Sequence, residues 1–284
     1  MKLDIVYEDD YLIACVKPYG VPSQLDKTYG VDMITLVKEY LYDKAVSVAE
    51  KKAAENPDLD EVEIEEPYVA VINRLDRPVA GIILFAKDES TAAKLSDMVH
   101  DRKISKFYQV VVRGFMEEPE GTLTNYLIHD KKTNITKVVP ESKKDSVKGA
   151  KYAELKYEVL DELDTDEGPI SYLLVELVTG RHHQIRCQMS ANGTPIWGDV
   201  KYAQASNLKG GPSPAGGANN KGRNNARNKQ GKNGKSSKSS SKERAEIGLY
   251  STKMIFVHPV TGEEVFLHRE PEGKAFDIMD QMDW

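Results

Sequence analysis

Among the 284 residues, one carboxylate is set apart by its neighbours. Asp76 lies in Asn73-Arg74-Leu75-Asp76-Arg77-Pro78-Val79-Ala80-Gly81, between two arginines and ahead of a turn-like Pro-Val-Ala-Gly. The apolar run after it, closed by Lys87-Asp88, is short and β-branched at its start, and reads as a buried strand. An acid flanked by cations at the edge of a packed sheet should stay ionised at neutral pH, because nearby positive charge favours the charged form. Such a group serves equally as a catalytic carboxylate or as half of a structural ion pair.

Two further stretches carry reactive side chains. Lys106-Phe107-Tyr108 places a phenol in a Val-rich strand, where a core position is the commoner reading. Thr179-Gly180-Arg181-His182-His183-Gln184-Ile185-Arg186 places two arginines at a turn entering a helix. The adjacent histidines would point in different directions on that helix and have no partner ligand in sequence, so no metal site is expected. The chain also lacks a dinucleotide glycine fingerprint and a P-loop, so no cofactor is expected. No second carboxylate in a matching motif completes a glycosidase pair.

These groups need a scaffold. Leu3–Tyr7 and Tyr11–Val16 read as short strands around a Glu8-Asp9-Asp10 turn, and Lys17-Pro18-Tyr19-Gly20-Val21-Pro22 breaks regular structure. Ile34, Val37 and Leu41 predict an amphipathic helix over Asp32–Tyr42. Residues 43–66 read as a frayed helix and exposed acidic linker. Ser90–Arg102 reads as a helix with an apolar face of Ala92, Leu95, Met98 and Val99, and Lys106–Arg113 as a strand. Alternating patterns in 121–160 predict antiparallel strands broken by a basic loop at Lys143-Lys144. The apolar Ser171–Val178 is a strand running into the Arg181–Asn192 helix, where Ile185 and Met189 share a face. Thr252–Val257 and Glu264–His268 read as a hairpin around His258-Pro259-Val260-Thr261-Gly262.

Composition is that of a soluble globular protein, with 40% hydrophobic and 30% charged residues. Two distant cysteines argue against a disulfide scaffold and suit a reducing compartment. No stretch approaches a membrane span or a signal peptide, so the expected location is cytoplasmic. Net charge is −6, yet the signs are segregated: acids concentrate in Glu55–Glu66, while lysines and arginines dominate Gln204–Glu246. A basic face for RNA is compatible with that distribution. Residues 206–241, rich in Gly, Asn, Lys and Ser, bury too little to offset chain entropy and are expected to be disordered, as a surface insertion or a basic RNA-binding arm.

Taken together, Arg74–Gly81, Lys106-Phe107-Tyr108, Thr179–Arg186 with the following Pro195-Ile196-Trp197-Gly198-Asp199, Lys17-Pro18-Tyr19-Gly20 and His258–Gly262 resemble, in order and spacing, the motifs of the RluA-type pseudouridine synthases. The resemblance spans nearly the whole chain, without the N-terminal S4-type domain of many relatives. It implies an α+β catalytic fold over residues 1–284: a mixed, mostly antiparallel sheet with flanking helices and a central RNA-binding cleft, interrupted by the 43–66 and 206–241 insertions.

The resemblance also implies isomerisation of specific uridines in structured rRNA or tRNA, and the expected state is a monomer. Asp76 would be the catalytic aspartate, attacking the ribose or helping by acid–base and electrostatic means, and Arg186 would pair with it. Tyr108 would stack on the base and assist removal of the C5 proton, with Ile185 on the opposite side of the uracil. Arg74 would fill the stack vacated by a flipped nucleotide. Arg181 would contact RNA phosphate or support the motif loop, and Gln184 would contact RNA. Asn73 stands where many relatives have His, His182 where Thr or Ser is usual, and Val79-Ala80 replaces a hydroxyl-bearing pair; these departures bear on substrate choice. The rival reading is an RNA-binding or RNA-folding protein on the same scaffold without turnover.

Overall fold

A computed structural model describes residues 2–25, 30–56, 64–203 and 246–280. Eleven strands form one sheet, with four helices packed against it among the described residues. The strands are β1 (Ile5–Glu8), β2 (Leu12–Lys17), β3 (Ala70–Val71), β4 (Ala80–Ala86), β5 (Ser105–Arg113), β6 (Glu120–Asp130), β7 (Ile135–Val139), β8 (Lys151–Thr165), β9 (Gly168–Glu176), β10 (Leu249–Val257) and β11 (Glu264–His268). The helices are α1 (Met33–Glu55), α2 (Glu89–His100), α3 (Gln184–Ala191) and α4 (Lys274–Asp280). Their order across the sheet is β1-β2-β4-β10-β5-β9-β8-β6-β7, with β3 added to β4 and β11 to β10. Every pairing is antiparallel except β4 with β10.

Strand alternation assigns the two faces. Ile13, Cys15, Ile83, Phe85, Tyr108 and Val110 point to the side where Met33, Leu36 and Val37 of α1 and Ile185 and Met189 of α3 close the core. Their neighbours Leu12, Ala14, Ile82 and Leu84 point the other way, onto Leu95 of α2. Because both faces are covered, the whole of β4 is buried, which is why its sequence reads as an unbroken apolar run. It lies between β2 and β10, so Asp76 leads into an interior strand, where the sequence had suggested the sheet edge. The turn itself is Arg77-Pro78, and Ala80 and Gly81 already belong to the strand.

Most expected elements are present, with shifts at their ends. Asp32 caps α1, its Oδ1 accepting the N–H groups of Ile34 at 2.9 Å and Thr35 at 3.2 Å. This helix continues to Glu55 instead of fraying at residue 43, since the exposed Ala-, Lys- and Glu-rich stretch has high helix propensity. The basic loop at Lys143-Lys144 contains a short 3-10 turn at Glu141–Lys143. The helix expected from Arg181 begins at Gln184. Helix α4, not anticipated from sequence, buries Ala275, Phe276 and Met279 against Ala80, Val111 and Tyr250. The 206–241 insertion and residues 57–63 lie outside the described residues. No helix among the described residues is long and apolar enough to cross a membrane.

Gly81 is required where β4 meets β10. Its φ is +110°, and a Cβ there would collide with the Ser251 backbone. Gly81→Ala should therefore destabilise the fold by at least about 1–3 kcal/mol from backbone strain alone. Urea unfolding measures this, and a wild-type midpoint in the variant would refute the close approach.

Candidate active site

The loop between β3 and β4 carries Asp76, and its backbone is pinned on both sides of the acid. Ser23 Oγ donates to the Leu75 carbonyl at 2.8 Å and accepts the Leu75 N–H at 3.0 Å. The fully buried Lys17 points its Nζ at three carbonyls, Val21 at 2.8 Å, Pro18 at 3.0 Å and Arg77 at 3.3 Å. Gly20 N–H adds a bond to the Arg77 carbonyl at 2.8 Å. Burial lowers the Lys17 pKa to about 7, with the Asp76 charge opposing. Asn73 braces the loop against β4, accepting the Leu84 N–H at 2.7 Å and donating to the Ile82 carbonyl at 3.3 Å. The irregular Lys17–Ser23 segment is therefore the seat of the acid-bearing loop.

Arg186, buried on α3, bridges two carboxylates. Its Nε and Nη2 donate to Asp199 Oδ2 and Oδ1 at 2.6 and 2.9 Å, while Nη1 donates to Asp76 Oδ2 at 2.9 Å. The guanidinium also lies over the Tyr202 ring, 5.1 Å from its centroid. The fork-on-carboxylate geometry fixes the direction of the third donor, so Asp199 aims Arg186 at Asp76. Asp199 is itself almost fully buried, on the loop after α3. Burial pushes the Asp76 carboxyl above its ordinary range, with the Arg186 charge and hydrogen bond opposing and the Asp199 charge reinforcing the rise. The flanking Arg74 and Arg77 side chains are exposed, and Arg77 Nε donates to the Gly20 carbonyl at 2.9 Å. The charge partner of Asp76 is thus the distant Arg186, not the arginines beside it in sequence.

A second group reaches the same oxygen. His183, in the left-handed region at φ +48°, brings Nε2 to 3.5 Å from Asp76 Oδ2. Thr136 N–H donates to Tyr202 Oη at 2.9 Å, which leaves the Tyr202 proton for His183 Nδ1 at 2.8 Å. That pattern assigns the His183 proton to Nε2, the nitrogen facing Asp76. Burial, then the Arg186 charge, holds the His183 pKa near 2, so the ring is neutral. Both contacts fall on Oδ2, and no hydrogen bond to Oδ1 is made among the described residues. Oδ1 is available to a molecule in the cleft.

That cleft, about 1000 Å³, is lined by Asp76, Tyr108, Ile185, Arg186, Leu177 and Leu249 among others. Among the described residues its cations are Arg74, Arg77, Lys106, Arg181, Arg186 and Lys201, and its one carboxylate is Asp76. Lys106 sits on the Tyr108 face of β5, and burial lowers its pKa. Tyr108 is buried between β10 and β9, opposite Ser251 and Val175. Burial and then the Asp76 charge push its phenol above the ordinary range, with Ser251 opposing, so the hydroxyl is uncharged at neutral pH.

The expected site residues therefore divide. Asp76, Tyr108, Ile185 and Arg186 converge, Arg74 stands exposed at the cleft, and Arg181 lines it while donating Nε to the Tyr152 carbonyl at 2.9 Å. Gln184, expected to contact RNA, faces inward. Its Oε1 accepts from Thr179 Oγ1 at 2.8 Å and Arg181 N at 2.9 Å, and its Nε2 donates to the Glu154 carbonyl at 3.0 Å, which consumes the amide in holding the loop. His182 and His183 stack face to face, 3.7 Å between centroids. Sequence reasoning overlooked Lys17, Asp199 and Tyr202 as supports. Asp199 sat inside a noted motif, but pairing with Arg186 needed tertiary structure to be seen.

Residues 11–191 match the family model for RNA pseudouridylate synthase. The tRNA pseudouridine synthase C of Vibrio parahaemolyticus is 25% identical over 294 residues, covering 100% of this chain and 96% of that protein. The dual-specificity RNA pseudouridine synthase RluA of Haemophilus influenzae is 30% identical over 201 residues, 71% of this chain and 77% of that protein. Among solved structures, human RNA pseudouridylate synthase domain containing 4 superposes with a TM-score of 0.60 at 19% identity, covering 95% of this chain and 88% of the other, which supports the fold.

Asp199→Ala should remove two of the three ion-pair hydrogen bonds of a buried guanidinium. Breaking one side of such a pair costs about 3–5 kcal/mol. A variant as stable as wild type in urea would show that Asp199 does not anchor Arg186.

Proposed function

The chain belongs to the RluA-type RNA pseudouridine synthases, and from that membership we propose that it presents Asp76 to the ribose of a flipped uridine in structured tRNA or rRNA. The observation that carries this reading is the Asp199–Arg186–Asp76 chain at the floor of a cationic cleft. The reaction breaks the N-glycosidic bond of uridine, turns the base and rejoins it through C5. It needs a carboxylate at the sugar and a slot that retains the freed base. Arg186 and His183 hold Oδ2, leaving Oδ1 to face the sugar as nucleophile or as stabilising charge. Tyr108 and Ile185 form the walls for the uracil. With its phenol pushed upward and therefore protonated, Tyr108 acts as a stacking surface, and its oxygen can take the C5 proton only as it releases its own hydroxyl proton.

The cleft cations suit a polyanion despite the net charge of −6. Arg74, Arg77, Arg181 and Lys201 supply phosphate contacts whose contribution falls steeply with salt. Extruding a stacked uridine costs a few kcal/mol, which these contacts and Arg74 offset. We read residues 1–284 as one catalytic unit. Relatives named tRNA pseudouridine synthase C align along the full chain, so tRNA is the first substrate to map, and rRNA the second.

Pseudouridine mapping of total RNA from cells with and without the gene, complemented by wild type or Asp76→Ala, tests the proposal. One or more sites should vanish and return only with wild type. Purified Asp76→Ala should turn over at least about a thousandfold more slowly, the scale of losing a positioned acid–base or electrostatic group. An unchanged map from a protein that still binds RNA would favour the rival binding-protein reading.

The pH profile gives a separate check. Activity needs ionised Asp76 and should fall as pH drops through its raised pKa, above the ordinary carboxylate value of about 4. Arg186→Gln removes the opposing charge, so the residual activity should lose its acid limb at a still higher pH. A limb that moves down would contradict the assignment.

A further inference from the structure

Beside the catalytic loop stands a column of three imidazoles. His183 stacks on His182 with centroids 3.7 Å apart and planes 26° from parallel. His182 stacks in turn on His129 of β6, at 3.7 Å and 22°. The inner ring faces Asp76, while the outer residue, His129, is exposed to solvent. Each ring is held by a polar partner: His183 Nδ1 by Tyr202 Oη at 2.8 Å, His182 Nδ1 by Thr136 Oγ1 at 2.8 Å and His129 Nε2 by Asn134 Oδ1 at 3.0 Å. His182 and Asn134 line the cleft, so the column runs from its floor to its rim.

A column built only to fill space would end under cover. This one ends on an exposed ring beside a slot lined with cations, at the spacing with which planar rings stack. Burial, then the neighbouring His129, Lys201, Arg186 and Arg74 charges, holds the His182 pKa near 4, so the middle ring is neutral at physiological pH. Stacking on aromatic side chains, including histidine, is a general means of holding unstacked bases, and it tolerates any base. Extruding a uridine leaves a neighbouring base with one uncovered face.

We propose that the His129–His182–His183 column is a stacking subsite that receives, on the outer face of His129, the nucleobase next to the flipped uridine. The proposal rests on the RNA reading of the cleft but not on turnover. It makes His129 a substrate-positioning residue, and one that selects RNAs whose neighbouring base is free to leave its own stack.

The test uses the full-length protein and a hairpin RNA whose loop holds a uridine flanked on both sides by 2-aminopurine. Binding to wild type should quench one 2-aminopurine. His129→Ala should remove that quench and weaken binding between about fivefold and a hundredfold, the range for losing one base–aromatic stack. His129→Phe should restore both, because it keeps a ring without the imidazole nitrogens. On a hairpin that lacks the quenched base, wild type and His129→Ala should bind alike, which a merely structural His129 would not produce.

A His129→Ala penalty that persists on the base-lacking hairpin, or a quench that survives the substitution, would overturn the subsite. Failure to bind any RNA would overturn it together with the functional reading. Binding and quenching without conversion of uridine would instead sink the synthase activity alone and leave the subsite supported.

Discussion

The site depends on one buried guanidinium. Arg186 satisfies Asp199 with two of its nitrogens and Asp76 with a third, and neither carboxylate would tolerate its depth without that charge. The bridge ties α3 to the loop before β4, elements 110 residues apart in the chain. It also sets the Asp76 balance, because burial raises the carboxyl pKa and Arg186 brings it back toward ionisation. A carboxylate near that balance is partly desolvated yet still paired, the kind of environment that tunes acids at functional sites.

Around this bridge the protein spends buried polar groups on aiming backbone. Lys17, Ser23 and Asn73 fasten the acid-bearing loop through carbonyls and amides, and Gln184 does the same for the turn into α3. None reaches the open part of the site as a reactive group. Their role is preorganisation: the loop is irregular, so side chains replace the hydrogen bonds that a helix or strand would supply. Gly81 continues the same constraint, since it lets β10 approach the strand that the loop feeds.

Charge is partitioned in the same spirit. An acidic chain presents a cleft whose lining, among the described residues, carries six cations and one carboxylate. The net negative charge disfavours indiscriminate contact with polyanions, while the cleft concentrates positive potential around Asp76. The stacked histidines beside it offer flat surface, and burial keeps the two inner rings, His182 and His183, neutral.

Much of this was legible in the residues themselves. Alternating and apolar runs located β2, β4, β5 and the β10–β11 hairpin, because strand periodicity and burial are written locally. The five motifs in order named Asp76, Tyr108, Ile185 and Arg186. What could not be read was partnership across the fold. Neighbourhood in sequence offered Arg74 and Arg77 as companions of Asp76, while the family resemblance pointed to Arg186, and it is the Arg186 guanidinium that the fold brings to Asp76. Gln184 looked free for RNA, but the fold turned it inward. Lys17, Asp199, Tyr202 and the stack on His129 gained their roles only when strands far apart in sequence were laid side by side. Sequence determined which groups could react; tertiary structure decided which of them meet, because hydrogen bonds and ion pairs depend on distance in space.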